Sequence, residues 1–169
     1  MFWYIFVEGA KDEAFFNRIC GQEFIKLIPY AKKKKEYVDN YIKSIKNMPD
    51  SNYILIADTD TKEKSLAQGE ILDTFKQCDI DHLSMVICEI ESWLVAGLDS
   101  ETCQKNKIRY ERNTEGITKE TFNNYFPEEE PYGKIIELLA YFKSMEAITR
   151  NQSFKEFYEK YRYESFLAL

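Results

Sequence analysis

The chain has 169 residues, of which 44 % are hydrophobic and 31 % charged, with a formal net charge of −6 and a pI near 5.0. That balance excludes disorder, and it excludes a protein whose main work is coating nucleic acid, since phosphate neutralisation needs the opposite sign. The length predicts one domain able to bury a real core, and an aromatic share of 15 % predicts a core built on large rings.

Phe2 to Val7 is aromatic and β-branched without polar alternation, which predicts a strand buried on both faces. The opening MFWYIFVEGA lacks a basic flank and turns acidic at Glu8, too short to span a bilayer, so no membrane segment is expected there. Residues 8–24 predict a helix, with Ala14, Phe15, Ile19 and Phe24 near helical spacing and Asp12 and Glu13 in the first turn. IKLIPYA is a weaker strand, interrupted by Pro29. KKKKEYVDNYIKSIKNM predicts a second helix with Tyr37, Val38, Tyr41, Ile42 and Ile45 on one face.

Pro49 to Asn52 is turn chemistry, and Tyr53 to Ala57 is the clearest strand. Thr61 to Cys78 fits a helix with Leu66, Ile71, Leu72 and Phe75 as its apolar set. HLSMVIC reads as another buried strand, and IESWLVAGL as a helix that stops at Gly97. Ser100 to Pro131 reads as polar and irregular, with PEEEP a surface loop. Two amphipathic helices are predicted near Lys134–Thr149 and Phe154–Tyr161.

Strands alternating with helices predict an α/β fold with a mainly parallel sheet of about four strands, flanked by helices. Residues 1–100 form the expected core, and residues 101–169 a loop and helical extension packed on the same domain. Cys20, Cys78, Cys88 and Cys103 form no CxxC, and His82 is the only histidine, which argues against zinc and Cys-His catalysis. A reduced, cytoplasmic protein is expected.

Acids follow the strands. WYIFV leads to Glu8, YILIA to Asp58 and Asp60, and LSMVIC to Glu89 and then Glu91. In a parallel sheet these carboxylates share one edge, where open α/β folds form their sites, and Asp12 sits one helical turn beyond Glu8. Like charges so placed raise each other's pKa unless a cation intervenes, and an all-oxygen set favours Mg²⁺, Mn²⁺ or Ca²⁺ over zinc. Each acid alone also reads as a helix cap; acids after three separate strands favour a shared metal site. Of the last pair, Glu91 is the expected ligand because it opens the ESW helix.

VEGAKDEAFF resembles the first motif of the TOPRIM superfamily, a Glu followed by Gly at a strand-to-helix turn with an acid four residues after the Glu. ILIADTDT resembles its second motif, the DxD, and EIESWLVAGLD resembles a signature of compact stand-alone TOPRIM-like proteins from bacterial and phage-defence neighbourhoods. The resemblance covers about the first hundred residues. It implies a TOPRIM-like, Rossmann-like fold and Mg²⁺- or Mn²⁺-dependent phosphodiester hydrolysis, in the manner of nucleases of the overcoming-lysogenization-defect type. It implies Glu8 as general acid/base and metal ligand, with Asp58 and Asp60 as catalytic Mg²⁺ ligands. Asp12 resembles the extra acid of the nuclease branch, and Glu91 a ligand of a second metal. No counterpart of a late catalytic Lys or of a topoisomerase Tyr is found, so primase and topoisomerase activities are not implied.

Lys11 and Lys62, each beside a motif, read as phosphate contacts or as solvated lysines; the Lys32 to Lys35 run reads as a steering patch for nucleic acid or a solvated helix start. Haloacid-dehalogenase phosphatases need DxDxT, and Lys62 stands in the Thr place. Sugar-nucleotide transferases hold Mn²⁺ with DxD but do not require the VEG turn. A homo-oligomer is an open assembly. A non-catalytic reading also stands: an effector subunit of an ATPase-containing defence complex, docking through the aromatic stretch from Ser144 onward. Its Phe154, Phe157, Tyr158 and Tyr161 fall on helical spacing, which core packing explains by default.

Overall fold

Apolar runs without polar alternation need cover on both faces, and a parallel sheet with helices against it provides that cover. The computed structural model describes residues 1–128, 130–164, 166 and 167. Strands β1 (Phe2–Val7), β2 (Ile25–Pro29), β3 (Ser51–Asp58) and β4 (Leu83–Val86) form one all-parallel sheet in the order β2-β1-β3-β4. Helices α1 (Ala10–Ile19), α2 (Lys35–Lys46) and α3 (Lys64–Thr74) fill the crossovers between them. The fold is α/β and consistent with a Rossmann-like architecture.

β1 pairs with β2 with Phe6 opposite Ile28, and with β3 with Phe6 opposite Leu55. On that face Phe6, Tyr53 and Leu55 pack against Val38, Ile42 and Ile45 of α2, with Ala67 and Phe75 completing the cluster. Alternation sends Trp3, Ile5, Val7, Ile54 and Ile56 to the other face, and all are buried. There Trp3 meets Phe166, ring centres 5.0 Å apart. α1 ends at Ile19, short of the predicted residue 24, because Cys20 turns extended to bridge Leu167 and the Gly21 N–H donates to the Phe166 carbonyl at 2.7 Å. Of the set predicted for the third helix, Phe75 is buried and Ile71 and Leu72 are half-buried against the core, whereas Leu66 is 56 % exposed and Ala67 is buried instead.

The chain divides into two compact units. Met1–Met85, with the described residues from Tyr163 onward, forms the first, and Val86–Arg162 the second; the sequence reading drew its line at residue 100. The second unit contains α4 (Ile90–Ala96), α5 (Ser100–Lys105), α6 (Lys119–Tyr125), α7 (Pro131–Leu139), α8 (Ser144–Arg150) and α9 (Gln152–Tyr161). The stretch expected to be irregular therefore carries two helices. Asp99 starts α5 by accepting from the Thr102 N–H at 2.8 Å, and Thr118 starts α6 by accepting from Thr121.

The single helix predicted over 134–149 is two. Gly97 explains the break: a Cβ there would lie 2.2 Å from the Phe142 ring, and the Lys143 N–H donates to the Gly97 carbonyl at 2.9 Å, so the chain leaves its helix to dock on α4. Trp93 is fully buried and donates from Nε1 to Ser153 Oγ at 2.8 Å. Phe154, Phe157 and Tyr161 are buried around it, so α9's aromatic face is core. Of the PEEEP loop, Glu128 and Glu130 are exposed and Glu129 lies outside the described residues, as do Ser165, Ala168 and Leu169 of the aromatic stretch. No helix among the described residues is long and apolar enough to cross a membrane.

Candidate functional site

β1 is central, and the chain moves from it to β2 on one side and then to β3 on the other. Such a reversal parts the crossovers and opens a crevice at the carboxyl ends of the two strands involved. Glu8 follows the last residue of β1, and Asp58 is the last residue of β3. Extending the Phe6–Leu55 register by two residues sets Glu8 level with Ala57, one residue before Asp58 on the adjacent strand. Parity sends Glu8 and Asp58 to opposite faces, but β1 ends at Val7, and both side chains reach one crevice.

That crevice is a cleft of about 340 Å³, lined by Glu8, Asp58 and Asp60 together with Tyr30, Lys62 and Glu70. Asp60 has a left-handed backbone, φ 51°, which Asp tolerates better than most residues. The turn that carries it is closed by the Lys62 N–H donating to the Thr59 carbonyl at 3.0 Å, with Thr59 itself buried.

Tyr30 continues β2 and forms the floor. Its backbone N–H donates to the Val7 carbonyl at 2.9 Å, and its buried hydroxyl donates to the Ile56 carbonyl at 3.0 Å. Burial pushes this hydroxyl well above the ordinary tyrosine range, and the negative charges of Glu8, Asp58 and Asp12 push it further. Tyr30 therefore stays neutral, and three carboxylates from two strand ends and one helix act on a single phenol.

Asp12 is buried in the first turn of α1, where its Oδ2 accepts from the Gly9 N–H at 3.0 Å and holds the turn that follows Glu8. Lys62 is ion-paired with Glu70, whose carboxylate raises the lysine's pKa. Lys11 is half-buried in α1's first turn, outside the walls named above. Glu91 is buried in the first turn of α4, in the second unit, not the unit that carries the cleft. Glu89 beside it accepts from the Lys119 N–H and pairs with the Lys119 ammonium at 3.0 Å. Among the described residues, no three His, Cys, Asp or Glu side chains stand as a ready-made metal cage.

Sequence reasoning missed Tyr30, Thr59 and Glu70. Glu70 had a signal: it shares a helical face with Ala67, Ile71 and Thr74, all of which line the cleft. Tyr30 had none, because its place follows from strand order. The fold and the cleft together define a Rossmann-like α/β protein with an acidic concavity at its topological switch point. No protein-family model, curated protein or solved structure matches the chain.

Proposed function

We propose that this chain is a Mg²⁺- or Mn²⁺-dependent phosphodiesterase of TOPRIM-like type, a nuclease acting on DNA or RNA in phage defence or nucleic-acid processing. The observation that carries the reading is the meeting of Glu8, Asp58 and Asp60 on one cleft at the sheet's switch point. The donor set fits a hard divalent cation: it is all oxygen, drawn from three carboxylates, with no thiol or imidazole lining the same cleft. Glu8, Asp58 and Asp60 would hold the ion, which supplies polarisation of a phosphodiester and acidification of water.

The chain's own residues divide the remaining work. Glu8, exposed at the mouth, takes the proton from the attacking water. Asp12 grips the Gly9 amide and positions the turn behind Glu8. Tyr30, neutral and bonded to the Ile56 carbonyl, keeps the floor dry and uncharged. Lys62 meets a phosphate by exchanging its Glu70 partner.

Glu8→Gln tests this reading. Hydrolysis of bis(p-nitrophenyl) phosphate and of DNA and RNA oligonucleotides in Mn²⁺ is expected to fall by about 10²- to 10⁴-fold, the usual loss for a proton-transfer residue. A chelator should abolish it in the wild type. Turnover that survives both the variant and the chelator overturns the proposal.

A further inference from the structure

The rim of the cleft runs on into a surface that combines lysines with aromatic rings. Tyr30 and Ala31 line the cleft, and the next four residues, Lys32 to Lys35, are all exposed. The run is anchored: the Lys33 N–H donates to the Tyr30 carbonyl at 2.8 Å, and its ammonium stands 5.5 Å from the centre of the Tyr37 ring. From Tyr37 the rings continue edge-on, 6.0 Å to Tyr41, 5.8 Å from Tyr41 to Tyr4, and 5.1 Å from Tyr4 to Phe2. Lys26 lies in register with Tyr4 on the edge strand β2, and its ammonium is 5.8 Å from the Tyr41 ring centre.

These rings are not core. Tyr37 is 50 % exposed, and Phe2, Tyr4 and Tyr41 are half-buried, so each holds one side in the fold and offers another to solvent. The acids of the same helix do not cancel the lysines. Glu36 is the exposed one, and Asp39 is committed to the Gln77 N–H at 3.0 Å. In a chain of net charge −6, five lysines beside four open rings make a local exception to the overall sign.

Rings flanked by ammonium groups bind unpaired bases by stacking while the cations meet phosphates. A duplex cannot use them, because its bases are already stacked on one another, and the chain's net charge gives it no broad field for duplex phosphate. We infer that the surface from Lys33 through Tyr37, Tyr41 and Lys26 is a track for single-stranded nucleic acid, delivering the strand to the cleft beside Tyr30. The inference rests on the phosphodiesterase reading of that cleft and names its substrate class as single-stranded polynucleotide.

Fluorescence anisotropy in a chelator tests it without turnover, using labelled oligo(dT), oligo(rU) and a duplex, each of about 12 nucleotides. Single strands are expected to bind at least about tenfold more tightly than the duplex, and Tyr37→Ala to weaken them by about tenfold, one lost stacking contact. Replacing Lys26 and Lys33 together by Ala should lower the salt slope of binding by about 1.4, two phosphates at about 0.7 each. The stronger of the two single-stranded probes names the sugar. Equal or tighter duplex binding overturns the track, and so does affinity unmoved by Tyr37→Ala in a protein whose thermal unfolding is unchanged. Tyr37-dependent binding without any diester hydrolysis in Mn²⁺ keeps the track and sinks the enzyme. Hydrolysis with Tyr37-independent binding does the reverse.

Discussion

β3 and β4 leave the sheet alike and end in different chemistry. Two residues after each strand the backbone turns left-handed, at Asp60 with φ 51° and at Cys88 with φ 58°, and each turn leads into a helix. After β3, Asp58 and Asp60 border an open cleft. After β4, Glu89 is drawn inward to the amide and ammonium of Lys119. The second unit buries several further polar groups, among them Arg150, Asn151 and Ser153. Arg150, buried, donates to the carbonyls of Val95, Ala96, Leu98 and Glu111 and lies 4.0 Å over the Tyr110 ring. Asn151 and Ser153 add bonds to Thr114, Trp93 and the start of α9. An acid after a strand is thus a candidate ligand where strand order opens a crevice, and a structural partner where packing closes over it.

The contrast predicts that the second unit loses stability, and the first loses chemistry, when a polar group is removed. Arg150→Met should have the largest stability effect. Four carbonyls lose a charged donor; Val95 keeps the Leu98 N–H and Leu98 the Cys103 thiol. At about 1.5–3 kcal/mol for each of the other two, urea denaturation should show a loss of about 3–5 kcal/mol. A loss below about 1 kcal/mol would mean that the guanidinium does not hold the unit together.

Two glycine substitutions probe the left-handed positions. Lys107, φ 57°, follows α5 where the Ile108 N–H returns to the Cys103 carbonyl at 2.9 Å, the position that favours glycine at a helix end. Lys107→Gly should stabilise by up to about 1 kcal/mol and leave Mn²⁺-dependent hydrolysis as it is. Asp60→Gly should relieve the same backbone strain by a similar or smaller amount and abolish the hydrolysis. Equal activity in the two variants would erase the distinction between the units.

The smallest effect is electrostatic. Asp99 is held far below the usual carboxylate range, first by its bond to the Lys143 ammonium and then by the Thr102 amide. A lowered folded-state pKa contributes stability that is complete above the ordinary value of about 3.9 and is lost as pH falls through the lowered one. Asp99→Asn keeps a cap and removes the charge, so the variant should be slightly less stable than wild type at pH 7, and the acid limb of its stability-versus-pH curve should flatten below about pH 4 as the two proteins converge. An unchanged limb would place the acid sensitivity elsewhere, and the cleft carboxylates would be the next to vary.

Much of the first unit was legible because its signals are local. Phe2–Val7 and Tyr53–Ala57 are strands on their short aromatic and β-branched runs, and the period of Val38, Ile42 and Ile45 marks the buried face of α2. The errors share a cause in distant contacts. α1 stops early because Leu167 and Phe166 come back to Cys20 and Gly21, and the helix over 134–149 breaks because Phe142 must sit on Gly97. Arg150 attracted no attention in the sequence, since nothing around ITRNQ shows that four carbonyls from elsewhere await it.

Periodicity and composition, which act over a few residues, determined the α/β class, the strands that carry Glu8 and Asp58, and the run of lysines beside Tyr37. Strand order was decided only by tertiary structure, because pairing β1 with both β2 and β3 is a choice among distant partners. That choice sets Glu8 one step from Asp58 on neighbouring strands and puts Tyr30 beneath them. Tertiary structure also separated two acids that look equivalent in the sequence: Asp58 borders the crevice between β1 and β3, while Glu89 belongs to a second unit whose packing supplied Lys119 to neutralise it.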